Sequence, residues 1–480
     1  MHLPRLLVVF DIFAVTLLAA VAAWHLIPHD SNEAQLWLTN YDKTALFAQQ
    51  SSIPFTKPSK TADSATISID TEKSFQPIDG FGFALTGGSA QHLHHMDAAK
   101  RADLLHELFA ADAYSIGISY LRISIGASDL NDHVYSYDDV PAGETDPQLK
   151  NFTLRDDRAD LLPVLKEILA INPQIQILGS PWSAPAWMKT NANVKGGELK
   201  HEYYGAYANY FVKYIKAMQA EGVNISAITI QNEPLNPKNT PSMVMQAPDE
   251  AAFIKDKLGP AFQAAFIKTA IIVYDHNCDV PEYATSILQD PAAYRWVDGS
   301  GFHLYGGEIT AMSKVHDAFP QRNLYFTEFM AVEPTEPNRI TIAKPVVGTV
   351  IGALQNWSRN VLLWNLAANS KFEPHTDNGG CDMCQGAVTI DGNDVTRNLA
   401  YYAMAHFSKF VRPGSVRIAS TAGTAQNLPN VAFKTPDHQI VLIVANDSAA
   451  PQAFDVRDRT HSFETKLRAG SVATYVWPSK

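Results

Sequence analysis

The sequence predicts an α/β protein: a (β/α)8 barrel with an attached β-sandwich domain that is built from both ends of the chain. The barrel is predicted by eight short β-rich segments between residues 78 and 364, most of which are separated by helix-like stretches. This alternation is typical of parallel strands joined by helical crossovers. The sandwich is predicted because short alternating runs, divided by Pro, Gly, Asn and Asp, replace that pattern beyond about residue 411.

The candidate barrel strands share apolar and β-branched residues, and the stretches 158–170 and 203–219 between them are helix-like. The strand segments are 78–85, 120–125, 175–178, 227–230, 270–274, 301–304, 324–327 and 361–364. A doubly wound open sheet is the alternative architecture. Its dinucleotide fingerprint is missing, because the Gly-Phe-Gly-Phe-Ala-Leu sequence at 80–85 lacks the third glycine.

The domain boundaries follow the same changes of pattern. We assign residues 78–410 to the barrel, and residues 64–77 together with 411–480 to the sandwich. Residues 24–63 are polar and contain proline breaks, so they predict an N-terminal arm rather than a domain.

The N-terminal residues 1–23 predict a targeting segment. Arg5 precedes an apolar run that ends in small residues, which is typical of a signal peptide and indicates a secreted or periplasmic protein. A membrane anchor is the alternative, although Asp11 inside the run would be costly in hydrocarbon.

The net charge argues against one class of partner. The chain of 480 residues has 49 acidic and 38 basic residues, so its formal net charge is −11. It therefore has no global basic field to attract the phosphates of nucleic acid. No stable protein partner is indicated either.

Cysteines and histidines do not predict a metal site. Cys381 and Cys384 have no second Cys or His pair at zinc spacing, so we predict a local disulfide, with two inert thiols as the alternative. His92, His94 and His95 form a cluster, but the adjacent His94 and His95 are expected to diverge on a helix. These histidines are therefore predicted to lie on the protein surface, in contact with solvent, rather than to bind a metal.

Two glutamates lie at the ends of apolar strand segments. Residues 228–230 lead into Gln-Asn-Glu-Pro at 231–234, and residues 324–327 lead into Glu328. In a closed barrel the C-terminal strand ends face one another, and a carboxyl pair about 5 to 5.5 Å apart there can cleave a glycosidic bond with retention. For either glutamate alone, a salt bridge or a solvated loop is the alternative.

Longer motifs carry a resemblance over most of the chain, from about residue 35 to the end. The matching segments are 35–39, 78–86, 121–129, 180–191, 232–234, 327–328, 364–367 and 406–410. Ser-Pro-Trp at 180–182 and His-Phe-Ser-Lys-Phe at 406–410 are specific. On these residues the sequence resembles glycoside hydrolase family 30, the family of lysosomal glucosylceramidase and related β-glycosidases. The resemblance also implies a barrel with an attached β-sandwich.

The resemblance implies a role for each glutamate. Glu233 matches the general acid/base and Glu328 the nucleophile, and we expect the charge of Glu328 to raise the pKa of Glu233. Arg122 matches a residue that holds a catalytic carboxylate. No metal and no organic cofactor are implied.

The resemblance also implies a sugar subsite, although the aromatic residues could instead be core and the aspartate a loop cap. The predicted substrate-binding residues are Asp129, Trp182, Asn232, His303, Tyr305 and Trp364. The chain departs from the lysosomal enzyme at Gln231, where that enzyme has an acidic residue, and in the segment 372–386. The leaving-group preference therefore does not transfer.

The first functional prediction is a retaining β-glycosidase of glucosylceramidase type, with a carbohydrate or glycolipid substrate. An endo-β-1,6-glucanase or a β-xylosidase that uses the same site is the alternative within enzymes. A non-catalytic carbohydrate-binding protein is the alternative from another class.

Overall fold

The computed structural model of the protein describes residues 32–56, 65–333, 338–421 and 427–479. Its architecture is a closed barrel of eight parallel strands beside a nine-stranded sheet. The predicted signal peptide at 1–23 lies outside the described residues. Within the described ranges, every helix is too short or too polar to span a membrane.

The strands fall into a barrel, a nine-stranded sandwich sheet and a small three-stranded sheet. Three sandwich strands come first: β1 (Glu33–Thr39), β2 (Ala48–Pro54) and β3 (Ala65–Pro77). The barrel strands are β4 (Gly80–Ala84), β5 (Tyr120–Ser124), β6 (Gln176–Ser180), β7 (Ala227–Thr229), β8 (Ala270–Cys278), β9 (Val297–Gly307), β10 (Asn323–Glu328) and β11 (Ser358–Asn365). The small sheet contains β12 (Ala367–Ala368), β13 (Val388–Asp391) and β14 (Asp394–Arg397). The sandwich is completed by β15 (Val416–Thr421), β16 (Asn430–Lys434), β17 (Gln439–Ala445), β18 (Gln452–Arg457), β19 (Ser462–Leu467) and β20 (Val472–Pro478).

The helices lie mainly in the connections between barrel strands. They are α1 (Gly87–His95), α2 (Ala98–Phe109), α3 (Leu161–Ile171), α4 (Tyr204–Ala220), α5 (Ala247–Phe253), α6 (Gly259–Ala264), α7 (Pro281–Leu288), α8 (Pro291–Tyr294), α9 (Ala311–Ala318), α10 (Ala343–Pro345), α11 (Gly352–Gln355) and α12 (Leu399–Ser408). Two π-helical turns, Ile254–Leu258 and Val346–Ile351, and two 3₁₀ turns, Ala186–Met188 and His201–Tyr203, are the other helical segments of the described part of the chain. The predicted (β/α)8 architecture is confirmed, since each predicted strand segment overlaps one barrel strand.

Strand periodicity decides which side chains reach the functional end of the barrel. On β5, Leu121 and Ile123 join the large core cluster that includes the helices, whereas Tyr120 joins a cluster made by barrel strands alone. Because alternate residues share a face, Arg122 points to the same side as Tyr120, one layer nearer the C-terminal strand end. The same alternation applies to Leu178 and Ser180 on β6.

The segment predicted as an N-terminal arm is corrected by the structure. β1 pairs antiparallel with β20, with Trp37 opposite Thr474, and β2 extends the sheet from the other side of β1. Residues 33–54 are therefore part of the sandwich sheet. β3 also lies in this sheet, between β15 and β18.

The motif at 406–410 joins the two domains. His406 on α12 is fully buried, and its ring nitrogens lie 2.9 Å from the hydroxyls of Thr39 on β1 and Thr474 on β20. Burial lowers the pKa of His406 to about 3, so the ring stays neutral. Lys409 donates to three backbone carbonyls of the loop at 112–115. This motif therefore has a structural role, which fixes the sandwich to the barrel.

Candidate active site

Arg122 is the centre of a buried polar network at the C-terminal ends of the barrel strands, the end we call the mouth. Its guanidinium donates to Glu328 Oε2 at 2.5 Å, to Asp275 Oδ2 at 2.8 Å, to Asn232 Oδ1 at 2.7 Å and to Ser180 Oγ at 3.2 Å. One fixed cation thus positions acceptors from four other strand ends.

Asp275 is a functional residue that the sequence analysis missed. Besides Arg122, it accepts hydrogen bonds from the hydroxyls of Thr229 and Thr327, and its Oδ1 lies 3.1 Å from His303 Nε2. Burial opposes its ionisation, but the charge of Arg122 and the bond to His303 hold the pKa of Asp275 far below its usual range. Asp275 is therefore a permanent anion beneath the mouth.

The backbone around Asp275 is strained. Tyr274 and Asp275 have φ angles of 75° and 53°, and Glu233 has 46°, all in the left-handed region. Two contacts fix this conformation: Glu233 N–H donates to Asp275 O, and Tyr274 N–H donates to the buried carboxyl of Glu250. Such strain is concentrated at functional sites.

Glu233 and Glu328, the predicted carboxyl pair, lie on either side of His303. His303 Nδ1 is 3.1 Å from Glu233 Oε1 and 4.0 Å from Glu328 Oε1. Asn236 Nδ2 donates to the other oxygen of Glu233 at 2.7 Å, and the hydroxyl of Tyr305 donates to Glu328 Oε1 at 2.9 Å. Both residues are only 6% exposed, so the two carboxyl groups are largely shielded from solvent.

The pKa of Glu233 is lowered, whereas the sequence analysis expected the charge of Glu328 to raise it. Burial favours the neutral form of Glu233, but the neighbouring imidazoles of His276 and His303 outweigh it and hold the pKa of Glu233 below its usual range. Burial lowers the pKa of His303, but the surrounding Glu328, Asp275 and Glu233 raise it to about 9. Burial raises the pKa of Glu328, against the charges of His303 and Arg122. In the free protein the proton between Glu233 and His303 therefore resides on His303.

The two predicted subsite tryptophans are buried beneath the mouth. Their ring centroids are 5.4 Å apart, and Arg122 lies 4.9 Å from the Trp182 ring and 5.8 Å from the Trp364 ring. Since Trp182 and Trp364 are 2% and 4% exposed, they support the guanidinium and offer at most an edge to a ligand.

Asp129, Asn232 and Tyr305, three of the predicted substrate-binding residues, lie around the network centred on Arg122. Burial raises the pKa of Asp129 to about 8, and the carboxylates Glu328 and Glu233 act in the same direction. Asp129 is therefore protonated at neutral pH and can donate a hydrogen bond. Asn232 is held by Arg122, and Tyr305 is 45% exposed at the rim.

Cys381 and Cys384 form a disulfide in the loop that follows β12. Both cysteines pack against the cluster that contains Trp182 and Trp364. At the other end of this loop, Thr376 N–H donates to the carbonyl of Asp129 at 2.9 Å. The loop therefore borders the site.

The expectation that His94 and His95 diverge is wrong. Both lie at the end of α1 and face Asp160, with ring nitrogens 2.7 Å and 3.5 Å from Asp160 Oδ1. Asp160 directly precedes α3, which packs against α1. This surface cluster lies apart from the network around Arg122.

The sequence analysis missed Asp275, His276 and Asn236, of which the first two carried a usable signal. Asp275 and His276 follow the apolar segment 270–274, as Glu233 and Glu328 follow theirs. The rule that selected Glu233 and Glu328, a polar residue at the end of an apolar strand segment, would therefore also have selected the strand end at Asp275 and His276.

A (β/α)8 barrel with two buried carboxyl groups at its mouth is the arrangement in which glycoside hydrolases cleave O-glycosyl bonds. The model of the glycosyl hydrolase family 30 TIM-barrel domain matches residues 78–411, and that of the family 30 beta sandwich domain matches residues 414–475. The chain belongs to glycosyl hydrolase family 30. Its substrate is accordingly a carbohydrate.

Three relatives illustrate its position in the family. The chain is 36% identical over 424 residues to the endo-1,6-beta-D-glucanase of Neurospora crassa, which covers 84% of this chain and 86% of the relative. It is 27% identical over 444 residues to the lysosomal acid glucosylceramidase of Mus musculus, covering 87% and 84%. The solved structure of the endo-beta1,6-glucanase BT3312 superposes with a TM-score of 0.85 at 32% identity, over 93% of this chain and 100% of that one.

Proposed function

We propose that the protein is a retaining endo-β-1,6-glucanase in which Glu328 is the nucleophile and Glu233 the general acid/base. The position of the carboxyl groups of Glu233 and Glu328 on either side of His303 at the mouth of the barrel is the observation that supports the mechanism. The identity to endo-1,6-β-glucanases supports the substrate.

In the first step an oxygen of Glu328 attacks the anomeric carbon while the bond to the leaving glucosyl oxygen breaks. Arg122 and Tyr305 hold Glu328 by one hydrogen bond to each oxygen, which orients the carboxylate for attack. The leaving oxygen takes its proton from Glu233, which receives it from His303 Nδ1 across the 3.1 Å contact. His303 then stays bonded to Asp275 through its Nε2–H.

In the second step water hydrolyses the glycosyl ester of Glu328. The ester has removed the charge of Glu328, and Glu233 accepts the proton of the attacking water as general base. That proton returns to the pair formed by Glu233 and His303, so the free site is restored. Asn232 and protonated Asp129 are placed to bind sugar hydroxyls beside the anomeric carbon.

A substrate panel tests the function. The purified protein is incubated with a linear β-1,6-glucan, glucosylceramide in mixed micelles and an aryl β-xyloside, and products are separated by chain length. We expect β-1,6-linked oligosaccharides of several lengths early in the reaction, because an endo enzyme cuts at internal bonds. The Glu328→Gln variant is the matched control for contaminating activity.

Three outcomes would contradict the proposal. Free glucose as the sole early product indicates exo action, and a preference for glucosylceramide restores the glucosylceramidase hypothesis, which is the first alternative. Binding of β-1,6-glucan by wild type and Glu328→Gln alike, without turnover, indicates a non-catalytic carbohydrate-binding protein.

We also propose that the enzyme is exported. The disulfide between Cys381 and Cys384 suits an oxidising compartment, and a polymeric glucan is met outside the cell membrane. N-terminal sequencing of the exported protein should find a start shortly after residue 23. An intact Met1 in a membrane fraction would favour the anchor instead.

A further inference from the structure

We propose that Glu233, His276 and His303 form a binding site for a divalent transition-metal cation, such as Zn²⁺, whose occupancy blocks the active site. As a means of inhibition this inference rests on the proposed function, whereas the binding itself does not. The three residues offer two imidazole nitrogens and one carboxylate oxygen, which is a donor set that Zn²⁺ accepts in proteins.

The ligand atoms already converge. Glu233 Oε1 lies 3.1 Å from His303 Nδ1 and 3.8 Å from His276 Nδ1, and each residue offers one ligand atom within 4.8 Å of those of the other two. A zinc ion about 2.0–2.2 Å from each of its ligands fits near the centre of such a triangle. Zn²⁺ would replace the proton on His303 Nδ1, which would be released to solvent.

His276 supplies an independent observation. Its side chain is 9% exposed, and its Nδ1 has no hydrogen-bond partner among the described residues. The sugar chemistry proposed above assigns that nitrogen no bond. A buried ring nitrogen without a partner is costly, and a cation coordinated there would remove that cost.

The surroundings of the three ligands match those of metal sites. Metal-bound histidines usually donate their second ring N–H to a carboxylate, as His303 Nε2 can to Asp275 at 3.1 Å. Asn236 fixes the other oxygen of Glu233 at 2.7 Å. The carboxylates of Glu328 and Asp275 add negative charge, while Arg122 is the fixed opposing cation.

Metal binding and catalysis exclude each other at Glu233. A cation on Oε1 occupies the oxygen that receives the proton from His303, and it stands where the leaving glucosyl oxygen must approach. The metal should therefore compete with substrate rather than support turnover.

Titration calorimetry of the full-length protein with ZnCl₂ at pH 7.5, after treatment with a chelator, tests the site. We expect one Zn²⁺ per chain to bind to wild type, and we expect the affinity of His276→Leu for Zn²⁺ to be lower by a factor of about ten or more. His276→Gln is the second variant if the leucine variant does not fold, and circular dichroism checks both. Initial rates on a β-1,6-linked disaccharide should show competitive inhibition by Zn²⁺ that EDTA reverses.

Two control variants locate the binding. The double variant His94→Asn and His95→Asn removes the surface cluster, and Cys278→Ser removes the buried free thiol; both should bind Zn²⁺ as wild type does. Unchanged affinity in the His276 variants, or binding lost in either control, would overturn the proposal, as would no heat of binding to wild type. Zn²⁺ binding at this site without hydrolysis of any glycoside would instead contradict the proposed function and leave the metal site standing.

Discussion

Replacing Arg122 by Gln should impair both stability and catalysis, because its charge serves two buried carboxylates. Its contacts to Glu328 and Asp275 are 2.5 and 2.8 Å long, and the guanidinium is fully buried. Removing one partner of a buried ion pair costs about 3–5 kcal/mol, since the remaining charge is left without compensation. Glutamine keeps hydrogen-bonding atoms but no charge.

The expected size of each effect follows from these contacts. With an unfolding entropy of about 2.1 cal mol⁻¹ K⁻¹ per residue over residues 78–411, that loss corresponds to a fall of about 4–7 °C in Tm. For catalysis, loss of one charge-assisted hydrogen bond to the nucleophile Glu328 should lower kcat/KM about 10²–10³-fold. Thermal unfolding by circular dichroism and initial rates on a β-1,6-linked substrate measure the two effects.

Arg359 provides a matched control. It pairs with Asp79 through two hydrogen bonds of 2.7 and 2.9 Å, but at the start of β11, which is the end of the barrel opposite the mouth. Arg359→Gln should lower Tm slightly and leave kcat/KM near that of wild type. If Arg122→Gln loses stability but keeps kcat/KM within about threefold, the catalytic part of the reasoning is refuted; an unchanged Tm refutes the buried ion-pair part.

Three further predictions test separate parts of the account. Glu233→Ala should lose activity mainly on substrates with poor leaving groups, and azide should restore turnover of an activated aryl glycoside as a β-glycosyl azide; equal losses without rescue would make Glu233 structural. Lys189 is buried against Ser183 and the carbonyl of Ser242, which lowers its pKa to about 7. Between pH 8 and 10 the lysine is protonated in the unfolded chain but neutral in the native state. The free energy of unfolding of the wild type, measured by urea titration, should therefore rise relative to that of Lys189→Met by up to about 1.4 kcal/mol per pH unit. A difference that stays constant over this range would show that Lys189 titrates normally. Removing the disulfide by Cys381→Ser with Cys384→Ser should cost about 2 kcal/mol or less, because the closed loop is short; a larger loss in chemical denaturation would contradict this.

Much of the barrel could be predicted because its strands are locally readable. Each is a short apolar run with turn residues on both sides, and the polar residue after such a run must lie at the mouth. This rule places Glu233 and Glu328 correctly without any knowledge of tertiary contacts. The same rule would also have selected Asp275 and His276 after the apolar run 270–274, but it gives no sign of the positive φ angles at Tyr274 and Asp275 or of the continuation of β8 to Cys278.

Other features depend on distant parts of the chain. The strands at 33–54 are polar in part, and they are recognisable only beside β20, more than 400 residues later. The convergence of His94 and His95 on Asp160 depends on how α1 packs against α3. The raised pKa of His303 depends on three carboxylates from three different strand ends. The lowered pKa of Glu233 and the raised pKa of Glu328 therefore could not be derived from either glutamate alone.

Covalent trapping of the nucleophile tests the central claim most directly. A 2-deoxy-2-fluoro-β-glucoside with a good leaving group slows hydrolysis of the intermediate, so the enzyme accumulates as a glycosyl ester that peptide mass mapping can locate. The account predicts one adduct per chain, on the peptide that contains Phe326, Thr327 and Glu328. An adduct on any other carboxylate, Glu233 and Asp275 included, would contradict it.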